Sequence, residues 1–170
     1  LKRDDPDFVP AYVMNHILGG GGFSSKLMEE VREKRGLAYS VYSYMQPFDR
    51  AAILAGQVAT KNEALGKSLD VIREEIRQIA EKGVSEEDLE NAKSYLTGSY
   101  ALRFDTSSKI ASQLLAIQVE GLGIDYVNRR NALISAVTLD EVKRVAERLL
   151  RPERLIVAIA GQPKGIEAHQ

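Results

Sequence analysis

Two runs rich in Tyr, Val and small apolar residues, Leu37–Met45 and Ala51–Ala59, flank the turn-forming stretch Gln46-Pro47-Phe48-Asp49-Arg50. Such runs read as strands, and so short a connection predicts an antiparallel hairpin. Helical periodicity surrounds the hairpin on both sides. A hairpin can bury only one face, and neighbouring amphipathic helices are what can cover it. The order therefore predicts an α+β fold, an antiparallel sheet packed against several helices.

The helices are marked by their caps and stripes. Asp7 is a candidate N-cap for a first helix running to Leu18, with Pro10 harmless in its first turn. Gly19–Gly22 ends it, and a second helix starts at Ser24 or Ser25 and stops at Gly36. Thr60-Lys61-Asn62-Glu63 reads as a capping box opening a helix whose Leu65, Leu69, Ile72, Ile76 and Ile79 share one face. Ser85–Asp88 caps the next helix, with stripe Leu89, Ala92 and Leu96. Asp105 or Thr106 starts another that ends at Gly121, and Asp125–Val137 forms a shorter one. Thr138–Glu141 is one more capping box, leading Val142, Val145 and Leu149 to a stop before Pro152. Arg154–Ala160, with Leu155-Ile156-Val157 at its centre, is predicted as a last, buried strand. Three strands make a thin sheet for so much helix, so the fold is expected to lack its first strand, upstream of Leu1. An open sheet edge, and self-association through it, follow from that expectation.

Composition removes several function classes. A chain of 170 residues suits one domain, spanning 1–170. The formal net charge of −1 provides no basic field for nucleic acid. With no Cys, disulfides and thiol chemistry are excluded. No apolar run reaches the roughly 20 residues that span a bilayer, so no membrane association is expected. Leu1–Pro6 is neither a signal nor a transit peptide, and the missing initiator Met reads as a piece of something longer. Compartment stays open between bacterial cytoplasm and periplasm.

Catalysis by this chain alone meets a shortage of ligands. The two histidines are His16, among apolar neighbours on the first helix, and His169, in the tail. Zinc needs three or four converging ligands, so no metal or other cofactor is expected in this chain. No Gly-x-Ser-x-Gly elbow offers a serine nucleophile. The Gly19–Gly22 run is not a phosphate cradle: it follows a helix, and no Gly-Lys-Ser/Thr closes it. It reads as a close-packed turn, with peptide contact or hinge motion as the functional alternatives.

The stretch Leu18–Tyr44, LGGGGFSSKLMEEVREKRGLAYSVYSY, resembles the C-terminal, non-zinc half-domain of the pitrilysin/insulinase zinc metallopeptidases, which include the mitochondrial processing peptidase. Val84–Lys93 and the closing run through Val137-Thr138, Arg148-Leu149 and Val157-Ala158 resemble the same family. Members pair two similar halves around a chamber, and the first half carries an inverted zinc motif, His-x-x-Glu-His. That motif is absent from this sequence. The resemblance implies that zinc sits in a complementary half, in the same polypeptide or a partner subunit. It further implies that Arg32 and Tyr39, seven residues apart, face that zinc across the chamber. Tyr39 would donate to a peptide carbonyl gaining negative charge, and Arg32 would grip the peptide backbone. Gly20, Gly21, Gly22 and Phe23 are further candidate peptide contacts. The implied function is a substrate-binding and transition-state-stabilising half of a zinc metalloendopeptidase. An inactive structural or partner subunit of the same fold is the alternative.

Overall fold

A computed structural model describes residues 1–48 and 50–165. The chain is α+β. Helix α1 spans Phe8–Asn15 and continues as a π-helical turn, His16–Gly20. A 3₁₀ turn, Gly22–Ser24, leads through Ser25 to a second helical segment whose Met28–Glu33 portion is π-helical. Strands β1 (Ala38–Pro47) and β2 (Ala52–Thr60) follow as an antiparallel pair, with Val41 opposite Val58 and Tyr44 opposite Ala55. Helices α2 (Leu65–Lys82), α3 (Glu86–Gly98), α4 (Ser107–Val119), α5 (Tyr126–Ser135) and α6 (Leu139–Leu149) complete the order.

One core joins the layers. Val13, Met14 and Leu18 of the first helical stretch meet Val31, Val41 of β1, and Val142 and Ala146 of α6. From α2 and α3 come Ile76, Ile79, Leu89 and Leu96. Full burial of such side chains is worth about 1.5–3 kcal/mol each, which is why the apolar stripes, rather than helix propensity, fix the packing.

The caps read at Ser85 and Thr138 both form as capping boxes. In α3 the Asp88 N–H donates to Ser85 Oγ at 3.0 Å, and the Ser85 N–H donates to Asp88 Oδ2 at 3.3 Å. In α6 the corresponding bonds between Thr138 and Glu141 are 3.3 and 2.9 Å. Thr106 caps α4 through Lys109 N–H.

Other expectations require correction. Thr60 does not cap α2: it ends β2, and its hydroxyl donates to the Leu37 carbonyl at 2.5 Å, tying the hairpin's open end. The N-cap of α2 is Ala64, without a side-chain bond. Asp7 precedes α1 but does not cap it, because its carboxylate is taken by Arg144 and Arg148 of α6 at 2.7 and 2.6 Å. Residues 155–160 form no strand. They follow the 3₁₀ turn Pro152–Arg154 without ladder partners among the described residues, and Ile156 is 96% exposed. A strand exists only with a neighbour to accept its backbone bonds, and apolar periodicity does not reveal whether one is present. The described sheet therefore has two strands. The tail carrying His169 lies outside the described residues.

Candidate functional site

The Arg32–Tyr39 corner is built on irregular backbone. Lys34 N–H donates to the Glu29 carbonyl at 2.9 Å, an i→i−5 bond that widens the helix. In α-helical geometry Arg32 would lie beneath Met28, four residues earlier, on one face. Met28 is buried, and so is Val31. Arg32 follows Val31 within the π-helical stretch, and its side chain is 32% exposed. The helix closes through Gly36, at φ +59, whose N–H reaches the Arg32 carbonyl at 2.8 Å while Leu37 N–H reaches Val31 O at 2.9 Å. A β-branched or bulky residue would strain that left-handed turn.

Tyr39 sits on the second irregularity. Ala38 faces Thr60 and Ser40 faces Ala59, so Tyr39 is the extra residue of a β-bulge. A bulge re-aims a side chain relative to the pleat. Tyr39 is 81% exposed, and its ring centroid lies 5.6 Å from the Arg32 guanidinium carbon. The two residues named from the sequence are brought together at one open corner.

Phe23 joins them, its ring centroid 4.9 Å from the same guanidinium carbon. Its 3₁₀ turn is tied by Ser24 Oγ, which donates to Gly21 O at 2.9 Å, and by Ser25 Oγ, which donates to Gly22 O at 2.7 Å. Gly19 lies so close to β1 that a Cβ there would meet Ser43 N at 2.6 Å. Gly20 and Gly21 pack against Asn15 and His16, and Gly22 opens the turn. The candidate residues Gly20, Gly21 and Gly22 thus form the base that carries Phe23, rather than a free loop.

Charge around the corner is largely spent. Glu30 receives Arg35 and Lys34, which hold its carboxyl below the usual range, and Glu29 and Glu30 together raise Lys34. Arg32 has one ionic neighbour among the described residues, Glu33 at 3.4 Å. Its guanidinium is the corner's most available donor fork.

Among the described residues no three His, Cys, Asp or Glu side chains converge on a metal position. His16 is buried and stacks on Tyr95 at 5.1 Å between centroids, and burial pushes its pKa below the ordinary value. Among the described residues no helix is long and apolar enough to cross a membrane.

A cavity of about 460 Å³ lies elsewhere, between α1, the far end of β1, α4 and α5. Buried Arg130 lines it, donating to Leu96 O at 3.0 Å with its guanidinium carbon 4.2 Å from the Tyr100 ring centroid. Neither Arg32 nor Tyr39 reaches it. This cavity had no signal in the sequence, since its lining comes from distant segments.

Residues 2–96, more than half of the chain, match the family model described as the peptidase M16 inactive domain. The chain belongs to that family. This is the relationship that the segment around Arg32 and Tyr39 resembles. An uncharacterized zinc protease of Streptomyces coelicolor is 33% identical over 162 residues, covering 92% of this chain and 34% of its own length. The non-peptidase homolog YmxG of Helicobacter pylori is 32% identical over 142 residues, covering 84% and 33%. The crystal structure of a peptidase M16 inactive domain from Pseudomonas fluorescens superposes with a TM-score of 0.78 at 31% identity, covering 91% of this chain and 36% of that one. The chain spans about a third of the length of these relatives.

Proposed function

We propose that residues 1–170 act as a single half-domain that binds peptide and stabilises the transition state of a zinc metalloendopeptidase. In this reading the zinc site belongs to a complementary half, in the same polypeptide or a partner subunit. The observation that carries it is the convergence of Arg32 and Tyr39, 5.6 Å from guanidinium carbon to ring centroid, on a π-turn and a β-bulge. Irregularities of both kinds recur at functional sites because they aim side chains away from regular faces. An exposed phenol O–H can donate to a carbonyl oxygen as it gains negative charge. The Arg32 fork offers a planar set of donors to backbone carbonyls of an extended peptide. Gly20–Gly22 border the same corner and supply further peptide contact.

A second reading is an inactive partner subunit of the same fold, favoured by the Helicobacter pylori relative's name as a non-peptidase homolog. Peptide hydrolysis by the chain joined to its zinc-bearing half separates the two. Under the first reading Tyr39→Phe lowers kcat by about 10²-fold or more with KM little changed. Unchanged kcat in Tyr39→Phe removes Tyr39 from the chemistry, and an inactive wild type selects the partner-subunit reading.

A further inference from the structure

Phe23 is an apolar side chain with no place in the core. It is 69% exposed, yet its turn is held by two side-chain hydrogen bonds and a close-packed glycine base. A large aromatic ring so exposed gains little from burial. What it has instead is Arg32, nearer to its ring than to that of Tyr39, 4.9 against 5.6 Å. Arg32 otherwise has only the 3.4 Å approach of Glu33 among the described residues. A guanidinium on a long side chain held so loosely would sample many rotamers, and ordering it on binding would cost affinity.

We infer that Phe23 is a positioning residue, holding the Arg32 guanidinium by a cation–π contact so that its donor fork stands ready beside Tyr39. The glycine base and the Ser24 and Ser25 ties serve this end by fixing the ring. The inference rests on the proposed role of Arg32 in gripping peptide, and it narrows the role of Phe23. The ring acts through Arg32 and not by touching substrate itself.

Two measurements test it. In the chain labelled at arginine, ring-current shifts on the Arg32 side-chain protons report the contact without any activity. Phe23→Leu is expected to move these resonances towards free-arginine positions, and Phe23→Trp to keep them displaced. In the chain joined to its zinc-bearing half, Phe23→Leu should raise KM about two- to five-fold, the worth of an exposed cation–π contact, with kcat within two-fold. Phe23→Trp should restore KM, and in an Arg32→Ala background Phe23→Leu should add nothing further. Unmoved Arg32 resonances in Phe23→Leu would overturn the inference. So would an equal rise in KM with and without Arg32, which would make Phe23 a direct peptide contact. If Arg32→Ala alone leaves KM unchanged, the reading of Arg32 fails. The resonances then still decide whether Phe23 holds it.

Discussion

Replacing Gly19 by Ala tests the contact on which the whole corner is built. The added methyl would lie 2.5 Å from Ser43 Oγ and 2.6 Å from Ser43 N, where ordinary contact begins at 3.4 Å. The backbone nitrogen cannot swing aside, so β1 and the π-helical turn must separate by about 0.8 Å in a close-packed interior. Overpacking of this kind costs about 1–3 kcal/mol. Separation also strains the bond from Ser43 Oγ to Asn15 Oδ1, now 2.8 Å and buried, worth about 1 kcal/mol. The expected destabilisation is about 3 kcal/mol, or a fall in Tm of about 6–12 °C for a chain of this size. Gly98→Ala is the internal control. A Cβ there meets nothing within 4 Å, and φ is −67°, so the change should be neutral or stabilising by up to about 1 kcal/mol. Urea denaturation of both variants against wild type reads the difference. If Gly19→Ala stays within about 0.5 kcal/mol of wild type, β1 and the π-turn are not in the register described. The glycine base would then not be what fixes Phe23.

Two further predictions concern stability. His16 is a base whose burial lowers its folded pKa below 6.5, so the unfolded chain takes up the proton first as pH falls. Its contribution is therefore full above pH 6.5, declines below it and levels off once folded His16 is itself protonated. The urea-midpoint difference between wild type and His16→Phe should shift against wild type between pH 7.5 and 5, and a pH-independent difference would refute this. Thr138→Ala removes the hydroxyl that accepts the Glu141 N–H, leaving the backbone N–H of residue 138 bonded to the Glu141 carboxylate, and should cost about 1 kcal/mol, read as a lower urea midpoint with unchanged slope.

What was legible in the sequence was local. The boxes at Ser85 and Thr138 form because every atom they use lies within four residues, and nothing distant competes for the hydroxyls. Thr60 carries the same pattern, yet its hydroxyl goes to Leu37, 23 residues away across the hairpin. Asp7 likewise gives up its cap to Arg144 and Arg148, on the opposite side of the sequence. Local preference sets which bonds are possible, and tertiary geometry chooses among them. Arg154–Ala160 failed for a related reason. Its composition is that of a strand, but β structure is a property of pairs, and no described strand lies against it.

The candidate site divides along the same line. Arg32 and Tyr39 come from the resemblance, and their spacing across Gly36 is compatible with a shared corner, but regular strand pairing would not have freed Tyr39 to join it. Unbroken pairing would have bound Tyr39 to the pleat of β1, and the bulge frees it by giving β1 one residue more than β2 opposes. The π-helical turn stands before Gly36 and the bulge after it. Neither leaves a mark in residue type, although buried Val31 and Val41 flank the stretch that holds the bulge. Phe23 was named as a peptide contact for its place beside the glycines. Its approach to Arg32 joins segments on either side of Ser25 and is visible only in the structure. The corner is thus a consequence of packing on its inner side, and substitutions in the core beneath it should reach the site through backbone register before they reach it through any direct contact.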